Sequence, residues 1–103
     1  MIAAGEHWPG REVLRPAIED WLGAGAVIAA LSEHGAGPLS PESMAAHAGY
    51  AGIPDVPTLI GDCASGRELA AIGFGDDVAI AVEIDSSAAV PVLSGDSFAD
   101  AVA

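Results

Sequence analysis

Few side chains in this sequence are large enough to build a core, and that scarcity limits the folds open to it. By residue count 51% of the chain is apolar, yet it has two Trp, two Phe and one Tyr among 103 residues. Much of the remaining apolarity is Ala and Gly, which remove little surface from water at each position. A chain of this length is expected to form a single domain, residues 1–103, around a thin core of Ile, Leu, Val and the few aromatics. A thin core also implies marginal stability, which homo-oligomerisation would support.

The mean hydropathy of +0.44 excludes wholesale disorder. Fifteen acids stand against three Arg and no Lys, for a net charge of −12. Nucleic acid and anionic membrane surfaces repel such a chain, because phosphate binding needs Lys or Arg contacts. The acids are scattered, which favours solubility, and they also suit a basic protein partner. A single cysteine, Cys63, rules out a disulfide framework and a multi-cysteine zinc site. The longest apolar run, Trp21 to Leu31, is too short for a bilayer core of roughly 30 Å. No basic segment followed by an apolar one opens the chain, so a cytoplasmic protein is expected.

Along the chain, Met1 to Gly10 reads as irregular, with Trp8 folded back on the core. Pro16 opens a helix whose first turn holds Glu19 and Asp20, and Ile18, Trp21, Leu22, Gly25, Ile28 and Ala29 give it an apolar face. Gly35, Gly37 and Pro38 stop it. A second helix starts with Ser40 as N-cap and Pro41 at the first position, and Gly49 ends it. Two prolines within "IPDVP" predict a rigid extended connection through residues 50–66.

The C-terminal half changes period. In "GFGDDVAIAVEIDSSAAVPVL", residues 73–93, Val78, Ile80, Val82 and Ile84 alternate with smaller or acidic residues, as in a strand. Paired with "RELAAIGF", they predict a hairpin over 67–85 with a three-residue loop at Gly75-Asp76-Asp77. That register buries Ile72, Phe74, Val78, Ile80 and Val82 and brings Arg67 opposite Asp85. Residues 88–93 form an edge strand, because Pro91 cannot donate to a ladder. A short C-terminal helix follows, with Ser97 and Asp100 at capping-box spacing. The expected fold is therefore α+β: N-terminal helices on a small antiparallel sheet, closed by that short helix.

Four carboxylates, Asp76, Asp77, Glu83 and Asp85, then lie at the tip and outward face of one hairpin. They read as a solvated face that doubles as a partner-binding surface. A metal site needs further oxygen ligands from a defined loop, and no such pattern is present. The Gly-rich pieces lack the strand–loop–helix context and the Lys of a phosphate loop. His7, His34 and His47 have no metal-ligand spacing, and Cys63 has no neighbouring base in sequence. No catalytic, cofactor-binding or metal-ligating residue is predicted.

Gly52, Ile53 and Pro54, then Ile72, Gly73, Asp76, Ile80 and Asp85, then Ser97 and Phe98 form a spaced pattern over residues 51–103. It resembles the C-terminal part of SUKH-superfamily immunity proteins. The resemblance implies an α+β fold that neutralises a toxin by binding it, without chemistry of its own. The expected function is thus a small acidic, non-enzymatic module of immunity or inhibitor type with a basic protein partner. The alternative is a structural or assembly subunit, of phage or secretion-system type, packing through its sheet face.

Overall fold

Two helices that cross at a glycine hold what core there is. The computed structural model describes residues 5–102. Helix α1 spans Ile18–Glu33 and α2 spans Pro41–Ala51, and the two pack against each other more extensively than any other pair of elements. At the crossing, a Cβ on Gly25 would lie 2.3 Å from the carbonyl oxygen of Ala46. Only a residue without a side chain admits the α2 backbone there. Gly49 on α2 does the same for the Trp21 indole, whose nearest atom would be 2.9 Å from an added Cβ. Among the described residues Leu22, 1% exposed, is the one large side chain fully enclosed, and Ala17, Ala24, Ala46 and Val56 are buried as well.

The two expected N-terminal helices are present, with shifted ends. Ser40 caps α2 by accepting a hydrogen bond from the Ser43 amide at 3.2 Å, and Pro41 takes the first position. Helix α2 runs past Gly49 to Ala51, because that glycine is needed for packing rather than for termination. His34 closes α1, its Nδ1 lying 2.8 Å from the Ala30 carbonyl oxygen. The expected extended connection instead contains α3, Val56–Asp62. Asp55 caps it, its Oδ1 accepting from the Thr58 amide at 3.1 Å, and Pro57 lies in the first turn, where no amide is missed.

An α+β architecture is found, but its strands are not where the alternation placed them. The predicted hairpin over 67–85 is two helices, α4 at Ala64–Ala71 and α5 at Gly75–Ala81, joined through Gly73 at φ +96°. In a helix Val78 and Val82 are four residues apart and share a face, and both are half-buried. Ile80 falls on the other side and is 66% exposed, and Ile72 and Phe74 are exposed too. The alternation in side-chain size was coincidental, and the helix-favouring Ala, Glu, Leu and Arg of this stretch prevailed.

The predicted edge strand survives as β3, Pro91–Ser94. The predicted C-terminal helix is a strand, β4, Ser97–Asp100, which pairs antiparallel with β3 through a two-residue turn at Gly95-Asp96. Gly95 has φ +62°, and a positive φ at the first central residue suits a type II′ hairpin turn. Asp100 does not cap a helix. Its Oδ1 accepts from the amides of Val90 and Val102, both at 3.0 Å, and ties the hairpin base. Those two bonds hold its carboxyl below the ordinary aspartate value. Ala103, the last residue of the expected helix, and the first four residues of the expected irregular opening lie outside the described residues. The rest of that opening holds a second small ribbon, β1 (Glu6–His7) with β2 (Leu14–Arg15). Among the described residues no helix is long and apolar enough to cross a membrane.

Candidate functional site

Among the described residues Arg15 is the one buried charged residue, 4% exposed, and it ties the N-terminal ribbon to α4. Its Nη1 donates to Glu68 Oε1 at 2.7 Å and its Nη2 to Glu68 Oε2 at 2.9 Å, a bidentate pair. Nη2 also reaches Ser65 Oγ at 3.3 Å, and the guanidinium carbon lies 5.4 Å from the centroid of the Trp8 ring. Trp8 is therefore half-exposed and covers Arg15, instead of entering the core as expected. The paired hydrogen bonds hold the Glu68 carboxyl below the ordinary glutamate value and raise the Arg15 guanidinium.

Next to this clasp, the first turn of α1 meets the start of α4. Cys63 is the N-cap of α4, its Sγ accepting from the Gly66 amide at 3.4 Å. The same sulfur lies 3.7 Å from Glu19 Oε2, to which the thiol donates. Gly66 is fixed by this packing: a Cβ there would sit 2.4 Å from the Ile60 carbonyl oxygen. Helices α3 and α4 approach one another closely only because this position is bare.

Two adjoining cavities open at this junction. One, of about 260 Å³, is lined by Glu19, Cys63, Ser65, Leu69, Asp77 and Val78 among others. The second, of about 240 Å³, has Glu19, Leu22, Tyr50, Val56, Glu83 and Ile84 in its wall. Glu19, Ile60 and Ala81 belong to both. A half-buried carboxylate thus stands between two largely apolar hollows, with a thiol at its side and a hydroxyl nearby. Such a group can accept a proton from a water or hydroxyl held in either hollow. Neither cavity is lined by an Arg.

The four carboxylates predicted as one surface do not share a hairpin. Asp76 and Asp77 occupy the first turn of α5, where acids suit the helix dipole. Glu83 and Asp85 follow its other end, and Asp85 takes φ 55° in the turn that leaves it. Asp77 reaches one cavity and Glu83 the other, while Asp76 and Asp85 line neither. Among the described residues no three His, Cys, Asp or Glu side chains gather as a metal-binding group. Sequence reasoning missed Arg15, Glu19 and Glu68. The available signal was the rarity of Arg in so acidic a chain, which makes any buried one a residue with a partner.

Comparison with known proteins gives one finding. Residues 3–96 match the family model described as 2-phosphosulpholactate phosphatase. No curated protein and no solved structure matches the chain. The matched span takes in most of the stretch that resembled SUKH immunity proteins, and the match overturns that resemblance. The non-enzymatic readings, as immunity or inhibitor module and as assembly subunit, fall with it, because the matching family is described as one of phosphatases.

Proposed function

The chain belongs to the 2-phosphosulpholactate phosphatase family, and from that we propose that it acts in the hydrolysis of a phosphate monoester carried by a sulphonated hydroxy acid. The match over residues 3–96 carries this reading. The junction of α1 and α4 supports it with suitable chemistry. Hydrolysis joins a water oxygen to phosphorus and breaks the bond from phosphorus to the alcohol oxygen of the substrate. The water loses a proton and the departing alkoxide gains one.

In this reading Glu19, which lines both cavities, takes the first proton. Phosphoryl transfer otherwise depends on positioning and on stabilising the charge of the phosphoryl oxygens. Amides in the first turn of α4 favour an anion, and of these the Gly66 amide already donates to the Cys63 sulfur. A cytoplasmic location is part of the same proposal, in keeping with a single free cysteine.

The test compares extracts of source cells that carry the intact gene, a deletion, or Glu19→Gln. Phosphate release from 2-phosphosulpholactate is measured in each. The deletion should abolish release, and Glu19→Gln should lower it about 10²–10⁴-fold, the usual loss when a general base is removed. Full activity in the deletion extract refutes the reading. Full activity with Glu19→Gln removes Glu19 from it.

A further inference from the structure

The β3–β4 hairpin is bare on both faces. Val92 and Ala99 form one cross-strand pair and Leu93 and Phe98 the next, so apolar side chains point both ways. All four are exposed, Phe98 at 72% and Leu93 at 61%. Among the described residues no helix packs extensively on either strand. A lone two-stranded hairpin is marginal in water and gains stability from a third strand or a covering layer.

The whole molecule shares this openness. It exposes 7531 Å², whereas a compact monomer of its 10.2 kDa mass exposes about 5,300 Å². The difference, about 2,200 Å², exceeds the roughly 800 Å² that one partner contributes to an interface of standard size. The radius of gyration, 15.4 Å, likewise exceeds the roughly 13 Å expected for this length.

Backbone geometry selects the edge. The Ala101 amide bonds to the Val90 carbonyl at 2.9 Å, so that pair turns its polar groups inward. Alternation then turns the groups of Pro91 and Asp100, and of Leu93 and Phe98, outward. On the β3 side Pro91 has no N–H to offer. On the β4 side the amides of Phe98 and Asp100 both point to solvent, and that edge is open.

Charge selects the occupant. A second copy would bring another −12 to a face flanked by Asp96 and Asp100. We propose that the outer edge of β4 receives a strand from a polypeptide rich in Arg and Lys, which covers the Leu93–Phe98 face.

The test uses the purified chain and three synthetic peptides of equal length: alternating Arg and Val, alternating Glu and Val, and the Arg/Val peptide N-methylated at every residue. Amide hydrogen exchange is followed by NMR, with no phosphate ester present, so the outcome is independent of the extract assay. The Arg/Val peptide should bind, slow exchange at Phe98 and Asp100, and weaken as salt rises. The other two should bind at least about tenfold more weakly. Equal binding of the N-methylated peptide overturns the proposal, since only diffuse charge attraction is then at work. Equal binding of the Glu/Val peptide, or no binding by any, overturns it too. So does a doubled mass for the peptide-free chain with the same amides already protected, which makes the occupant a second copy.

Discussion

Adding one methyl group to α1 should have opposite effects at two positions two residues apart. Gly25 faces α2, and an added Cβ would meet the Ala46 carbonyl oxygen at 2.3 Å, the Tyr50 Cβ at 2.8 Å and the Ala46 carbonyl carbon at 3.0 Å. Two of these are backbone atoms, so no rotamer change relieves the overlap and the helices must separate. Overpacking of this kind costs about 1–3 kcal/mol, against which Ala returns at most about 1 kcal/mol of helix propensity. At exposed Gly23 an added Cβ meets nothing within 4 Å, and the propensity gain stands alone.

Gly25→Ala should therefore lower stability and Gly23→Ala raise it. At about 4–8 °C per kcal/mol for a domain of this size, the two midpoints should differ by roughly 10 °C. Thermal denaturation followed by far-ultraviolet circular dichroism measures both. A Gly25→Ala midpoint at or above that of the unaltered protein would refute the close crossing and with it the α1–α2 packing.

Two further outcomes concern charges. The Glu68 carboxyl is held below its ordinary value of 4.5 by Arg15, so its contribution is complete above that pH and lost as pH falls through the lowered value. Glu68→Gln should flatten that part of the acid limb of a stability–pH curve, and an unchanged limb would show that the pair contributes nothing there. Asp100→Ala removes the acceptor shared by Val90 and Val102. Exchange at those two amides should speed up while the α1 amides stay as they were, and equal acceleration in both regions would show the hairpin and helices opening as one unit.

What the sequence disclosed was local, and what it concealed depended on contacts. Helices α1 and α2 were legible because Glu19, Asp20, Ser40 and Pro41 act within a turn of themselves. Residues 67–85 were misread because a short apolar run fits both periods, and only packing decides that Val78 and Val82 turn inward while Ile80 does not. Helix α3 was hidden by prolines, although Asp55 three residues before Thr58 is a capping signal. The Glu19–Cys63 contact spans 44 residues and the Arg15–Glu68 pair 53. No local pattern announces either, so the cleft was invisible, and the four carboxylates grouped by sequence proximity are divided between the two ends of α5.

The span of the Arg15–Glu68 clasp bears on how the chain reaches its fold. The most extensive contacts all join consecutive elements: β1 with β2, α1 with α2, α3 with α4, α4 with α5, and β3 with β4. Pairs of this kind close short loops and form early, which places the chain among rapid folders. Joining residues 53 apart is a different step, because closure entropy rises by about 0.6 kcal/mol for each doubling of the loop. The ribbon is therefore expected to dock onto α4 after the helices have paired. Refolding watched through Trp21, on the α1–α2 contact, should run ahead of refolding watched through Trp8, on the clasp.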